Sequence, residues 1–343
     1  MSMFKPRYRI SNDLLSKIKQ ITSLVNVLNE KKYSRPILTK LETRARVISS
    51  HASTKIEGNP LPLTEVKRIL KSQPQIIDFS QREVLNYNQA LLTLKEKEKE
   101  SWSLTSKMIF DIHKKVMAGL LPRFQLGRTR KQAIVINDPR TGKVLFLPPD
   151  PVDVCQLVDE LVEFVNADEK IDPVILAGLF HKQFVIVHPF MDGNGRTARL
   201  MTKVLLAKMG LDTFNLFSFE NYYNQHLTEY FSRVGVFGDY YNLVKKIDFT
   251  AWLEYFAEGI FQELLRVKKD LSLAILTPKT EVQSYHEKIL SFIKDKGYIA
   301  HRDYARLTNR ARSTRNTDFK KLIKMGLIVK KAKGKATFYQ HKQ

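Results

Sequence analysis

The chain has 343 residues, 43% hydrophobic and 27% charged. That balance supports folded units with full cores and excludes a disordered polymer. No run approaches the roughly 20 apolar residues of a membrane-spanning helix, no apolar segment follows the basic N-terminal residues, and one cysteine, Cys155, cannot close an internal disulfide. A cytoplasmic protein without a membrane partner is expected. Lys and Arg outnumber Asp and Glu by 57 to 35, a net charge of +22, and Lys279 to Gln343 alone holds 17 basic against 5 acidic residues. Such clustering is the footprint of a polyanionic partner.

In chain order, Leu14, Leu15, Ile18, Ile21, Val25 and Leu28 recur at helical spacing behind Asn12-Asp13, predicting a helix to about Asn29. A second should run from near Ile37 to about Ile56 and stop at Gly58 and Pro60. Helices follow from Thr64 to about Lys71 and from about Gln81 to Glu98. The runs 133–136 and 143–147 flank turn formers at 137–142, which reads as a β-hairpin ended by Pro148-Pro149. Asp150-Pro151 starts a helix to about Asn166, and Asp172-Pro173 opens a strongly apolar one to Val187. Arg196 to Met209 reads as helix closing at Gly210, and the chain stays helical to about Asp270. After a linker at 271–279 come helices near 284–295, 302–308 and 313–325, then strands 327–329 and 337–339 joined by a basic loop. Three helices and a basic ribbon form a winged helix-turn-helix pattern, a nucleic-acid or protein-binding module.

The segment 188–199 carries the chemistry. Gly193, Asn194 and Gly195 lie directly before a helix, so their backbone N–H groups can converge on an anion. Arg196 and Arg199 are three apart and can face one polyphosphate. Asp192 is a hard oxygen ligand suited to Mg²⁺ beside phosphates. His188, ending the apolar helix, can act as a base near neutral pH, and Phe190 should plug into the core.

This window resembles the Fic family signature H-x-F-x-[DE]-G-N-G-R-x-x-R, matching its eight fixed positions. The hairpin at 133–147 looks like the family's target-binding flap, and Glu229-Tyr230-Phe231 resembles a Glu/Asp-Tyr-Tyr segment with Phe231 in place of the second Tyr. The resemblance implies a mainly α fold, a Fic-type helical bundle with a β-hairpin flap, plus the C-terminal winged helix. Its expected divisions are an N-terminal helical region at 1–100, a core at 101–270, the linker, and the winged helix at 280–343. It implies transfer of AMP from ATP to a Ser, Thr or Tyr hydroxyl of a protein docked on the flap. His188 would be the base and Asp192 the Mg²⁺ ligand. Gly193, Asn194 and Gly195 would form the anion hole, Arg196 and Arg199 would hold the β- and γ-phosphates, and Tyr230 would lie in the nucleotide site. Ser53-Thr54-Lys55-Ile56-Glu57-Gly58 matches the family's inhibitory pattern [ST]-x-x-x-E-[GN], so Glu57, with Ser53 on its helix face, would pair with Arg199 and hold ATP unproductively. Removal of AMP with Glu57 activating water, a nucleotide-sensing DNA-binding regulator, and a homodimer stay open.

Overall fold

The computed structural model describes residues 4–30, 33, 35–72, 74–97, 103–137, 141–167, 171–207, 216–276, 283–332 and 337–342. The fold is mainly helical with small sheets. It divides into two compact units, one of Met1–Lys31 with Ala45–Val267, the other of Lys32–Arg44 with Lys268–Gln343.

The first unit begins with α1 (Asn12–Glu30), α2 (Arg35–Ile56), α3 (Leu63–Ser72), α4 (Phe79–Lys97) and α5 (Ser106–Val116). In α1 the buried residues are Leu14, Ile18, Ile21, Val25 and Leu28, the i, i+3/i+4 stripe that the spacing predicts. Then come β1 (Ile136–Asn137), β2 (Val144–Leu147), α6 (Pro151–Ala167), α7 (Pro173–Val187) and α8 (Asn194–Ala207). α9 (Phe219–Gln225), α10 (Leu227–Val234), β3 (Gly238–Asp239), α11 (Tyr240–Leu243) and α12 (Thr250–Leu276) complete the run, and both α2 and α12 continue into the second unit.

α7 is the axis of this unit. Its apolar residues leave no polar stripe, and nearly all of its side chains are buried, as a helix hydrophobic all round must be. Asp172 caps it by accepting from the Val174 N–H at 2.8 Å, with Pro173 at the first helical position. Its neighbour α12 approaches closely at Gly178, whose carbonyl accepts from Trp252 Nε1 at 2.8 Å. A Cβ at Gly178 would lie 2.7 Å from Leu253 Cδ2, so glycine sets this distance.

Several sequence expectations need correction. The strands of the hairpin are shorter than predicted, and residues 138–140 at its turn lie outside those described. The far edge of β2 pairs in parallel with β3, inside a stretch read as helical. The helix before it, α10, ends at Val234 with Gly235 as its cap, and Gly238, at φ +116°, opens the strand. α8 starts two residues before the expected Arg196, because the Asn194 amide clasps both backbone groups of Phe190 and turns the chain into the helix early. Residues 208–215, including the expected stop at Gly210, are outside the described set. α12 runs through 271–276, the first part of the expected linker, since the chain meets no Gly or Pro there and Leu271 is buried. Residues 277–282 are not described.

The basic second unit contains α13 (Ser284–Lys296), β4 (Ile299–Ala300), α14 (His301–Leu307), α15 (Arg312–Lys324), β5 (Ile328–Lys331) and β6 (Phe338–His341). The strands form an antiparallel sheet in the order β4-β6-β5. β4, two residues long, is too short to announce itself by alternation. Ile289, Ile293, Ile299, Phe319, Leu322 and Tyr339 are among its core residues. Asp318 is buried and receives Tyr304 Oη at 2.8 Å and Arg310 Nε at 2.9 Å. Arg310 lies 3.6 Å over the Tyr285 ring, so this arginine serves the fold.

Candidate active site

The site is built on the end of α7, the start of α8 and the loop between them. α7 ends in His188, whose backbone is left-handed (φ 48°, ψ 60°), and Pro189 bars continuation. A non-glycine residue in that region costs on the order of 1–2 kcal/mol, so surrounding contacts must hold it. His188 Nδ1 lies 3.1 Å from the Val185 carbonyl. A carbonyl only accepts, so Nδ1 carries the proton and neutral His188 leaves Nε2 unprotonated. Burial lowers the imidazole below its ordinary value; the Val185 bond and the charges of Glu57 and Asp192 offset this in part, and Arg130 adds to it. The residue is therefore a neutral base at physiological pH.

The following loop is pinned from several sides. Phe190 is fully buried, as expected, and stacks on His113 with ring centroids 3.7 Å apart. His113 Nδ1 accepts from the Gly127 N–H at 3.0 Å, so its other nitrogen donates to the Asp192 carbonyl, also at 3.0 Å. Burial pushes His113 down to about 4, keeping it neutral. Gly193 takes φ +78°, and a Cβ there would lie 2.6 Å from Met117 Sδ, so only glycine fits.

At the start of α8 the helix leaves the N–H groups of Asn194, Gly195 and Arg196 without helical acceptors, a positive concavity for an anion. Two members of the expected anion hole are partly committed elsewhere. The Gly193 N–H is taken by Asp192 Oδ1, and the Asn194 side chain is spent on Phe190, leaving its backbone N–H. Above Gly195 sits Glu57: a Cβ on that glycine would be 2.3 Å from Glu57 Oε1. A carboxylate thus already lies against the anion cradle.

Both arginines are buried and paired. Arg199 Nη2 donates to Glu57 Oε1 at 2.6 Å and to the Ser53 carbonyl at 2.9 Å, while Nε donates to Ser53 Oγ at 2.8 Å. Burial opposes its charge most strongly, but the Glu57 carboxylate, together with Tyr230 and Tyr87, outweighs burial and raises the guanidinium above its ordinary value. Tyr230 stands behind Arg199 and is itself buried, with its hydroxyl 3.5 Å from Nη1 and 3.2 Å from His181 Nε2. Its geometry is that of a residue acting on the arginine. Phe231, beside it, is 51% exposed. Arg196 donates through Nη1 to Glu83 and through Nη2 to Asp192 Oδ1 at 2.9 Å. Glu83 also receives Asn59 Nδ2 at 2.7 Å.

The structure therefore brings Ser53, Glu57, Gly195, Arg199 and Tyr230 together, and Asp192 with Arg196. Sequence reasoning missed Glu83, His113, Arg130 and His181. Glu83, His113 and His181 sit on helices of ordinary periodicity and Arg130 on an irregular connection, and only burial marks them. Arg130, 2% exposed, donates to the carbonyls of His188, Gln132 and Pro149.

For a metal, Asp192 is the candidate. Its protein hydrogen bonds run to Oδ1, and the side chain is 47% exposed. Among the described residues no group of three or more His, Cys, Asp or Glu could cage an ion. A lone half-exposed carboxylate beside an anion cradle fits Mg²⁺, which keeps waters and takes its remaining ligands from substrate phosphates.

Residues 103–206 match the Fic/DOC family. A protein adenylyltransferase Fic of Drosophila erecta is 26% identical over 199 residues, 57% of this chain and 39% of that protein. The Drosophila willistoni protein of the same name is 28% identical over 163 residues, 46% of this chain and 31% of the relative. The chain thus spans less than half the length of these curated relatives. In fold it is similar to a Fic family protein from Desulfovibrio desulfuricans G20, with a TM-score of 0.66 at 18% identity, covering 98% of both chains. It is also similar to Fic-1 from C. elegans, with a TM-score of 0.59 at 22% identity over 76% of this chain and 73% of the other. The His188–Arg199 loop and the helices α5 and α7 that hold it thus fall inside the stretch, residues 103–206, that is similar to the Fic/DOC family.

Proposed function

We propose that this protein transfers AMP from ATP to a hydroxyl of a target protein and that Glu57 restrains it. The observation that carries the reading is the left-handed His188, its Nδ1–H held by Val185 and its Nε2 unprotonated, at the head of the loop that presents Asp192 and the anion cradle. In this reaction His188 Nε2 takes the proton of a Ser, Thr or Tyr hydroxyl. The oxygen forms a bond to the α-phosphorus, the bond from that phosphorus to the bridging oxygen breaks, and pyrophosphate leaves with the electron pair. Backbone N–H groups at the start of α8 stabilise the developing charge, with Arg196 on the β-phosphate and Arg199 on the γ-phosphate. Positioning and charge stabilisation supply most of the rate in such chemistry. Mg²⁺ bound by Asp192 would neutralise phosphate charge. The β1–β2 hairpin would hold the target by strand addition, orienting the hydroxyl with little dependence on sequence.

Glu57 supports the restraint because it takes the Arg199 fork that the γ-phosphate needs. Its 26% exposed carboxylate beside Gly195 also supports a second reaction, activation of water to remove AMP from a modified target. The C-terminal segment 280–343 reads as a winged helix whose partner is nucleic acid. Arg312, Lys320 and Lys324 of α15 are exposed, in a segment with a large basic excess.

Incubation with α-labelled ATP tests the main reading. Labelled protein is expected from the native chain and none from His188→Ala, which should still bind ATP because the cradle is intact. Binding of ATP without labelling in both proteins would make the domain a nucleotide sensor.

A further inference from the structure

Arg130 belongs to neither the motif nor the flap, yet it touches both. It lies in the connection that leads from α5 to β1. Its backbone N–H donates to the Pro189 carbonyl at 2.9 Å. Its side chain is buried and spreads over three further carbonyls. Nε donates to His188 at 2.9 Å, Nη1 to Gln132 at 3.2 Å, and Nη2 to Pro149. Gln132 precedes β1 and Pro149 follows β2, so the guanidinium holds both roots of the hairpin and the backbone of the base. The same connection is tied a second time, where the Gly127 N–H meets the His113 ring that holds Asp192.

The physical requirement is specific. Three carbonyls converge on one buried point, and each needs a donor. A planar guanidinium offers five N–H groups in a rigid fork, whereas an ammonium offers three donors on one atom. The carbonyl of His188 gives the guanidinium a fixed point on the loop, while the imidazole direction is held separately by the Val185 carbonyl.

We infer that Arg130 is a positioning residue that sets the distance between the hairpin and the His188 base, so that an acceptor hydroxyl docked on the hairpin meets Nε2. This rests on the transfer reaction proposed above. A change of 1 Å in such an alignment can cost about a hundredfold in rate. Arg130 itself touches neither nucleotide nor acceptor.

The test compares the native chain with Arg130→Lys, by hydrogen exchange and by two reactions of α-labelled ATP. Amides of Val144–Leu147 should exchange at least tenfold faster in Arg130→Lys, while those of α7 and α8 keep their protection and the Kd for ATP is unchanged. Transfer of AMP to protein should fall at least tenfold, whereas release of AMP to water, which needs no hairpin, should fall less than threefold. Unchanged exchange in Val144–Leu147 would overturn the proposal. So would a loss of protection shared by α7 and α8, or a parallel fall of both reactions, since either marks a merely structural arginine. If the native chain modifies no protein, the transfer reading fails on that result alone, and the exchange measurement still decides whether Arg130 ties the hairpin.

Discussion

At the scale of single residues, carboxylates already occupy both arginines of the site, Glu83 and Asp192 on Arg196 and Glu57 on Arg199. Arg199 is fully buried and shares its fork between Glu57 and Ser53. A charged hydrogen bond of this kind contributes roughly 1.5–3 kcal/mol, so Glu57→Gly should raise AMP transfer about tenfold or more, and should lower the urea midpoint because the buried Arg199 loses its carboxylate partner. Arg199→Ala should give no such gain, because it removes the phosphate ligand together with the inhibitor's partner. Initial rates of labelled AMP incorporation for the two variants separate these outcomes, and absence of a gain in Glu57→Gly would refute the inhibitory pairing. If Glu57→Gly also abolishes AMP removal from a modified target, the carboxylate serves that reaction as well.

The acid side of the pH profile belongs to the same scale. His188 must be neutral to accept a proton, and its imidazole titrates below the ordinary histidine value because burial disfavours the cation. Falling pH protonates the base only once it passes that lowered value, so transfer should persist to lower pH than a free histidine would allow. A plot of kcat/KM against pH, which reports the free protein, checks this. An acid limb at or above 6.5 would contradict the burial argument.

At the scale of elements, α7 delivers His188 and is held at both ends. Asp172 caps its start, and Asp172→Ala should cost about 1 kcal/mol in a urea titration while transfer at 25 °C stays near native. Its middle is more demanding. Gly178 lets α12 approach so closely that an alanine methyl would meet Leu253 at 2.7 Å and Phe256 at 3.1 Å. Gly178→Ala should therefore cost roughly 1–3 kcal/mol, because the Trp252 bond to the Gly178 carbonyl leaves little room for the helices to part. A thermal midpoint equal to the native value would show that Leu253 simply turns aside.

At the scale of the whole molecule, charge is distributed unevenly, and the consequence is measurable in salt. The C-terminal segment carries a large share of the excess, but the structure sorts its arginines. Arg310 is occupied by Asp318 and Tyr285, whereas Arg312, Lys320 and Lys324 lie on the exposed side of α15. Arg312→Ala and Lys320→Ala should each weaken DNA binding evenly across sequences and reduce the slope of log K against log salt by about 1. Fluorescence anisotropy with a labelled duplex at several salt concentrations reads this. If the native chain has no affinity at low salt, the module serves a protein partner.

What the sequence determined by itself was whatever depends on neighbours along the chain. The stripe of α1, the Asp172-Pro173 start of α7, and the twelve-residue motif from His188 to Arg199 were legible because periodicity, capping and a loop before a helix act over a few residues. The pairing of Glu57 with Arg199 was reached through resemblance, since 142 residues separate the partners. Other long-range contacts could be read in no pattern. Glu83 meets Arg196 across 113 residues, His113 meets Asp192 across 79, and Arg130 meets His188 across 58. The strand that β2 gains from Gly238–Asp239 is equally remote. These contacts follow from packing, because a buried charge or carbonyl must find a partner wherever packing brings one, and packing joins helix faces without regard to their order in the chain.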